Sequence, residues 1–358
     1  MSDDDYDWHL PLKADMHVHL EGAAPPSLVR RVAARHGEPI DGLISEDGLN
    51  YRWSDFTDFL VAYDRVAGLF RTAEDYRELT HVYLGELGKK NCLYTEIIVS
   101  PDHAEAIGLP ADDYLAGIAE GIRSHAKVWC DNRVETRLIA TGVRHRGVAS
   151  VEGAARTAAR WRAEGPTAEA GQPFVVGFGL AGDERVGRPR DYTRAFDIAR
   201  EAGLRTSCHA GEVCGPQSVR DALDHLRPDR IDHGVRAIED AELVRRLAGE
   251  RTMLAVSIGS NLALGVYSSL EKHPVARLAE AGCMIALGSD DPPFFGNSIL
   301  SEYAQAGRLG LDPFIVTRNA IEGAFCDTRT MLRLASWHDQ WRRTLAAAEG
   351  GDRAGAGA

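Results

Sequence analysis

The chain has 358 residues, of which 44% are hydrophobic and 26% are charged, and its formal net charge is −12. This composition is ordinary for a globular protein, and the acidic balance argues against nucleic acid as a partner, because polynucleotide binding depends on Lys and Arg that neutralise phosphates. The acidic start lacks the apolar segment of a signal peptide, and no run of 18 apolar residues predicts a membrane span. We expect a cytoplasmic protein that binds a small molecule and no membrane; the sequence predicts no particular oligomeric state.

Eight short apolar segments recur along the chain, and each ends in polar or glycine-rich residues. Several are almost continuously apolar, which is typical of parallel strands that helices cover on the outside. The predicted strands are 14–20, 94–100, 135–141, 174–180, 205–209, 230–233, 253–258 and 284–287.

Helical patterns fill the gaps between these strands. The first follows Thr72, a suitable N-cap, with Asp75 three residues later in the capping-box position. The predicted helices are 75–89, 113–125, 151–164, 191–202, 217–226, 239–249 and 273–281. Strands that alternate with helices in this way predict an α/β fold, a (β/α)₈ TIM barrel. We expect one barrel domain over residues 1–347 and a disordered tail over 348–358.

The connection between the first two predicted strands is longer than a βα unit needs, at about 70 residues. The surplus predicts extra helices that cap the C-terminal face of the barrel, either as a lid or as a packed cover. The residues predicted to form the lid share one helical face and are Phe56, Phe59, Leu60 and Tyr63. Residues 313–347 predict a further helical cap on the barrel.

Six polar residues fall at the carboxyl ends of four predicted strands. They are His17 and His19 on the first strand, His209 on the fifth, His233 on the sixth, and Asp290 with Asp291 after the eighth. Side chains at positions i and i+2 of a strand point to the same side, so the two histidines of the first strand lie side by side. Barrel enzymes carry their active sites at this face, and we expect the six residues to meet there.

The residue types in this set favour a zinc site. His17, His19 and His209 with the carboxylate of Asp290 would give three nitrogens and one oxygen, which suits Zn²⁺. Zinc lowers the pKa of a water molecule from about 15.7 toward roughly 7. The fourth predicted strand contains no lysine to bridge two metals, so one zinc ion per chain is expected. His233 would be either a further nitrogen ligand or the group that holds and deprotonates the water.

Two further residues point to catalysis and binding. Glu212 lies three residues after His209 on the turn that leaves the fifth strand, and it is better placed toward substrate than toward metal, as suits a proton donor. Its alternative role is that of a partner for the N-terminus of the helix near Gln217. Gly182 offers a backbone N–H with no side chain in the way of a ligand.

Five segments together resemble the adenosine deaminase family of the amidohydrolase superfamily. They are MHVHLEG at 16–22, LAGDE at 180–184, HAGE at 209–212, DHG at 232–234 and SDDP at 289–292. The resemblance runs in the family's order over nearly the whole chain and implies zinc-dependent removal of the 6-amino group of a purine. It also implies that His233 activates the water, that Glu212 protonates a ring nitrogen, and that Asp291 and the Gly182 N–H bind two other ring nitrogens.

The main expectation for the substrate is adenosine or 2′-deoxyadenosine, which would give the 6-oxopurine and ammonia in purine metabolism. The alternatives are free adenine and a 5′-modified adenosine such as aminodeoxyfutalosine. His19 and Glu21 are also expected to face the substrate; many adenosine-specific relatives have Asp at position 21, whereas relatives that act on adenine or modified nucleosides often have Glu. A hydrolase of cyclic amides or phosphoesters and a non-catalytic binding relative are less favoured.

Overall fold

Eight parallel strands form a barrel in which each strand pairs with the next along the chain. The computed structural model describes residues 11–128, 134–168 and 171–355. The strands are β1 (Lys13–His19), β2 (Cys92–Val99), β3 (Glu135–Val143), β4 (Val175–Ala181), β5 (Arg205–Ala210), β6 (Arg230–His233), β7 (Met253–Val256) and β8 (Met284–Leu287). Every residue of β2, β3 and β4 is buried, as expected for parallel strands covered on both faces. The predicted (β/α)₈ barrel is confirmed.

The barrel closes between the segment after β8 and the end of β1. The Asp290 N–H donates to the His17 carbonyl at 2.8 Å, and the His19 N–H donates to the Asp290 carbonyl at 3.0 Å. A Cβ on Gly288 would lie 2.4 Å from the Cβ of His17, so only glycine permits this close approach. Closure of the barrel therefore fixes Asp290 beside two of the predicted metal ligands.

Fifteen α-helices accompany the strands in the described residues. They are α1 (Pro26–His36), α2 (Phe56–Ala67), α3 (Ala73–Lys89), α4 (Pro101–Ala106), α5 (Ala111–Val128), α6 (Val148–Glu164), α7 (Thr193–Glu201), α8 (Pro216–Asp221), α9 (Ala241–Glu250), α10 (Ile258–Ala263), α11 (Val275–Glu280), α12 (Pro292–Phe295), α13 (Ile299–Arg308), α14 (Pro313–Glu322) and α15 (Thr328–Gly355). The predicted capping box begins α3: Thr72 Oγ1 accepts from the Asp75 N–H at 3.1 Å, and Asp75 Oδ2 accepts from the Thr72 N–H at 3.0 Å.

The two caps cover opposite ends of the barrel. Helix α2 lies over the C-terminal face, as expected for the long first connection. Helices α14 and α15 instead close the N-terminal end, where Ala320 and Leu334 belong to one apolar cluster with Ala14 and Met253 at strand starts. Helix α15 is described to Gly355, and residues 356–358 of the predicted tail lie outside the described residues, so the division at residue 347 stays a prediction.

Two further observations concern membrane spans and the cysteines. None of the helices in the described ranges combines the length and the apolarity that a membrane crossing requires. The five described cysteines are free thiols, and Cys130 lies outside the described residues.

Candidate active site

The end of β1 presents two histidines to the barrel mouth. Pairing of β1 with β2 shifts register between Asp15 and Val18, which places an extra residue in β1. Such bulges re-aim side chains and are common next to active sites. The imidazole rings of His17 and His19 are 5.2 Å apart between centroids, so the predicted side-by-side pair is present.

The four predicted metal ligands converge. His19 Nε2 lies 3.3 Å from His209 Nε2, and Asp290 Oδ1 lies 3.6 Å from the Nε2 atoms of both His17 and His19. Ligand atoms about 2.0–2.2 Å from one tetrahedral zinc ion are separated by roughly 3.3–3.6 Å. These three spacings fit a tetrahedral ion. The ligand atoms also lie within 4.8 Å of one another in two overlapping groups, His17 with His19 and Asp290, and His17 with His209 and His233.

The charges at the cluster also favour a cation. Burial lowers the pKa of His17, but Asp232 and Asp290 outweigh burial and raise it to about 10. Both ring nitrogens of His17 lack a hydrogen-bond partner among the described residues. Burial and the neighbouring His17 lower the pKa of His19 to about 3, and burial likewise lowers the pKa of His209 well below its usual range. Two carboxylates that stabilise a positive charge at His17, together with neutral imidazoles at His19 and His209, offer groups that a divalent metal binds.

His233 and Glu212 form a second pair beside the ligands. His233 Nε2 lies 3.7 Å from Glu212 Oε1 and 3.9 Å from Asp290 Oδ2, whereas Asp290 Oδ1 faces the histidines of β1. Burial lowers the pKa of His233 to about 4, and burial together with Asp290 and Glu184 raises the pKa of Glu212 well above its usual range. The pair thus places an imidazole with a lowered pKa and a carboxyl group with a raised pKa in the same cavity.

Two of these residues hold strained backbone conformations. Asp290 has φ of 62° and His233 has φ of 65°, both in the left-handed region that side chains other than glycine rarely adopt. Such conformations cost of order 1–3 kcal/mol each and concentrate at functional sites. The two side chains are therefore directed at the cavity at a cost in folding stability.

A cavity of about 70 Å³ opens next to the cluster. Its lining includes the four lid residues predicted from the sequence, together with His19, Gly182, His209, Glu212, His233, Asp290 and Asp291. Gly182 has φ of 89°, and a Cβ there would lie 3.0 Å from His145 Nδ1, so glycine is required at this wall. The lid residue Phe59 packs against Phe295 at 5.0 Å between ring centroids; that this segment moves as a lid stays a prediction.

Glu21 lies behind the cavity wall. It is 1% exposed, and it is absent from the described residues that line the cavity. Tyr114 donates its hydroxyl hydrogen to Glu21 Oε1 at 2.9 Å, and Tyr63 donates to Oε2 at 3.4 Å. Because the Tyr63 ring itself lines the cavity, Glu21 acts on the shape of the site through that ring.

Sequence reasoning overlooked Glu184, although the LAGDE segment contains it. Its carboxylate accepts from four successive N–H groups, those of residues 211–214, at 2.5, 3.1, 2.9 and 2.8 Å. Ser218 in α8 donates to it as well, at 2.5 Å. Glu184 therefore fills the role at the helix start that was the alternative for Glu212, and it holds the loop that carries Glu212.

Asp15 and Gly22 were also overlooked, although both lie within seven residues of the H-x-H pair. Asp15 accepts from the Ser289 N–H at 3.0 Å and from the Ser289 hydroxyl at 2.5 Å, which anchors the segment that carries Asp290. A Cβ on Gly22 would lie 1.6 Å from Asp291 Oδ1. Their positions in the sequence could have identified both residues, because Asp15 lies two residues before His17 and Gly22 ends the MHVHLEG segment.

Comparison with known proteins agrees with the geometry. The family model described as adenosine deaminase matches residues 12–341. The chain belongs to the adenosine deaminase family. Within the family, the chain is 51% identical over 327 residues to a protein of Agrobacterium fabrum named adenine deaminase, covering 90% of this chain and 96% of the relative.

Two solved structures share the adenosine deaminase fold of this chain. The adenine deaminase of Arthrobacter aurescens has a TM-score of 0.83 at 27% identity, covering 93% of this chain and 99% of the other. An amidohydrolase of Burkholderia ambifaria with bound zinc has a TM-score of 0.78 at 25% identity, covering 95% and 93%. Family membership confirms the expected hydrolytic deaminase. The main expectation of adenosine as substrate is not confirmed, and the relatives favour the alternative, adenine.

Proposed function

We propose that this chain hydrolyses free adenine to hypoxanthine and ammonia with one zinc ion per chain. The observation that carries the reaction is the convergence of histidine and aspartate ligand atoms beside a cavity that Glu212 and His233 line. The choice of adenine rests on relatives named adenine deaminase at 51% identity.

His17, His19, His209 and Asp290 would hold the zinc ion, and the lysine-free β4 favours a single ion. When bound, zinc supplies a Lewis acid that lowers the pKa of water toward roughly 7. The neutral ring of His233 is placed to accept the proton that water gives up as its oxygen bonds to C6 of the purine. Its Nε2 faces Asp290 Oδ2 rather than the oxygen shared by the ligands of β1, which favours proton transfer over ligation.

Glu212 supplies the proton that makes the ring electrophilic. Burial and the neighbouring Asp290 raise the pKa of this carboxyl group well above its usual range, which favours the form that can donate a proton to the ring nitrogen next to C6. The C6–O bond then forms, the C6–N bond to the amino group breaks, and the proton held by His233 leaves with the amine as ammonia. The remaining proton of the new C6 hydroxyl returns to Glu212, which leaves the 6-oxopurine and restores the carboxyl group. The reaction consumes one water and needs no other reactant.

Asp291 and Gly182 are placed to orient the purine. Burial and the charge of Asp290 raise the pKa of Asp291 well above its usual range, so this carboxyl group can donate to a nitrogen of the five-membered ring. Its Oδ1 has no hydrogen-bond partner among the described residues. The N–H of Gly182, on the opposite wall, is free of side-chain obstruction and suits another ring nitrogen.

The shape of the cavity favours a base over a nucleoside. Aromatic rings of Phe56, Phe59 and Tyr63 line it, as suits a planar base. Both carboxylate oxygens of Glu21 accept from tyrosine hydroxyls, so no free carboxylate is presented to a ribose hydroxyl.

The test is a substrate panel of adenine, adenosine, 2′-deoxyadenosine and a 5′-modified adenosine, read by the ultraviolet change from 6-aminopurine to 6-oxopurine. We expect kcat/KM for adenine to exceed that for adenosine by at least roughly 100-fold, or about 2.7 kcal/mol of transition-state stabilisation. A higher kcat/KM for adenosine would contradict adenine as the substrate. Absence of ammonia release from all four compounds would contradict purine deamination.

A further inference from the structure

Asp232 lies directly beneath the metal ligands and is 1% exposed. Its Oδ1 is 3.5 Å from His17 Nδ1, and its Oδ2 is 3.5 Å from His209 Nδ1. Neither oxygen has a hydrogen-bond partner in the part of the chain that the structure describes. Buried polar atoms are normally satisfied, and a buried carboxylate without partners calls for an explanation. Asp232 belongs to none of the described groups whose atoms converge on a metal position.

The charge of Asp232 is supported from the opposite side. Arg230 Nε lies 3.3 Å from Asp232 Oδ1, and Arg230 Nη1 donates to Glu96 Oε2 at 2.6 Å. Glu96 in turn accepts from the Phe325 N–H at 2.5 Å and from the Tyr94 hydroxyl at 2.7 Å. Acidic and basic groups therefore alternate through the barrel interior, from the segment after α14 to the underside of the metal ligands.

The two histidines differ in what their Nδ1 atoms meet. A neutral histidine that binds metal through Nε2 carries its proton on Nδ1, and that N–H needs an acceptor to fix the ring. His209 Nδ1 already lies 3.1 Å from the Leu180 carbonyl. His17 Nδ1 has no hydrogen-bond partner among the described residues, and Asp232 Oδ1, at 3.5 Å, is in position to accept from it.

We propose that Asp232 is a positioning residue for zinc, which accepts the Nδ1–H of His17 and holds its ring with Nε2 aimed at the ion. Arg230 and Glu96 keep the carboxylate in place, and its negative charge increases the basicity of both His17 and His209 as ligands. The inference rests on the zinc-dependent function proposed above, and it assigns a role to a residue that contacts neither substrate nor metal.

The test measures zinc binding rather than turnover. Asp232→Asn keeps the shape of the side chain and removes its charge, and competition against a chromophoric chelator gives the zinc dissociation constant. Loss of an outer-shell partner costs about 10–100-fold in metal affinity, and we expect a weakening in this range. The visible spectrum of the cobalt-substituted variant should also change, because the histidine ligand is no longer held in its orientation.

The matched control is Glu302→Gln, which changes a carboxyl group that is also buried but accepts from the N–H groups of Ile258 and Gly259. It should leave the zinc affinity and the cobalt spectrum unchanged. Wild-type affinity and an unaltered spectrum in Asp232→Asn would overturn the positioning role, whereas a wild-type protein that binds no zinc would instead overturn the proposed function.

A measurement on the wild-type protein covers the case in which Asp232→Asn fails to fold. In the zinc-loaded protein, nitrogen-15 correlation spectra should show a downfield, slowly exchanging proton on Nδ1 of His17, as a hydrogen bond to a carboxylate requires. A rapidly exchanging Nδ1 proton, or an Nδ1 without a proton, would overturn the role of Asp232.

Discussion

The two ends of the barrel both bury charged side chains, but they treat those charges differently. At the N-terminal end, Arg137 Nη1 donates to Glu135 Oε1 at 2.6 Å, so a buried cation meets a buried anion. At the C-terminal end, Glu212, Asp290 and Asp291 crowd together, and burial and mutual repulsion raise the pKa of Glu212 and Asp291. Ion pairs maintain the fold at the N-terminal end, whereas carboxyl groups with raised pKa values beside the histidines provide for an ion and a substrate at the C-terminal end.

Choosing the functional site by cavity volume alone would have selected the N-terminal end of the barrel, away from the predicted metal ligands. The larger cavity, about 620 Å³, lies at the N-terminal end, where it is lined by Arg137, Glu135 and Arg333. Arg333 also donates to Glu135, so these charges pair with one another. The cavity beside the metal ligands is only about 70 Å³. Functional sites are identified by perturbed and convergent polar groups as well as by volume.

The largest effect is expected from Glu212→Gln at the C-terminal end. The amide retains the shape of a protonated carboxyl group but cannot supply its proton, so kcat should fall about 10²–10⁴-fold. Zinc content should stay at that of the wild type, and the free energy of unfolding should change by no more than about 0.5 kcal/mol. Steady-state kinetics, elemental analysis and urea unfolding check the three statements. Turnover at the wild-type rate would remove Glu212 from the mechanism.

Glu135→Gln is the counterpart at the N-terminal end. It removes the nearer of the two carboxylates that face the buried Arg137 and leaves Asp327 at 3.5 Å. Breaking a buried pair costs up to about 3–5 kcal/mol. Urea unfolding should show this loss in the free energy of unfolding. The kcat/KM of the folded fraction and the zinc affinity should equal those of the wild type. A selective loss of turnover without loss of stability would show that the two ends are not separable in this way.

Zinc should raise the free energy of unfolding only by binding the predicted ligands at the C-terminal end of the barrel. Free zinc at 100 times its dissociation constant should raise the free energy of unfolding by about 2.7 kcal/mol relative to the chelator-treated protein. Glu135→Gln should retain this gain, because its site is remote from the ligands. Asp290→Asn should lose most of it, because the variant lacks the only anionic ligand. Equal gains in these two variants would place the zinc elsewhere.

The same contrast explains what the sequence could predict. The eight strands and the ligands His17, His19, His209 and Asp290 follow from apolar runs and from polar residues at strand ends, which the barrel must bring to one face. The role of Glu184 could not be predicted in this way, because it accepts hydrogen bonds from four backbone N–H groups that converge only in the folded loop. The closing of the N-terminal end by α14 and α15 depends likewise on packing over long separations in sequence, which local patterns do not specify.

Gly22→Ala tests how the position of the Asp291 side chain depends on the missing side chain at residue 22, and it has the smallest expected effect. In Gly22→Ala the new methyl group would lie 1.6 Å from Asp291 Oδ1, so the Asp291 side chain must move. Misplacement of a positioning group by about 1 Å can cost up to roughly 10²-fold in rate, and we expect a 10- to 100-fold fall in kcat/KM. Zinc affinity should stay unchanged, because Asp291 is not a ligand.

The matched control for this change is Gly37→Ala, at the end of α1. Gly37 has a positive φ, of 68°, unlike Gly22, and a Cβ there meets no atom within 4 Å. This variant should lose a little stability through backbone strain and keep the kcat/KM of the wild type. Because both changes add one methyl group, equal kcat/KM losses in the two variants would show that the effect at Gly22 comes from general destabilisation. A loss of kcat/KM confined to Gly22→Ala would instead show that the effect comes from the position of Asp291, one of the crowded carboxyl groups that distinguish the C-terminal end.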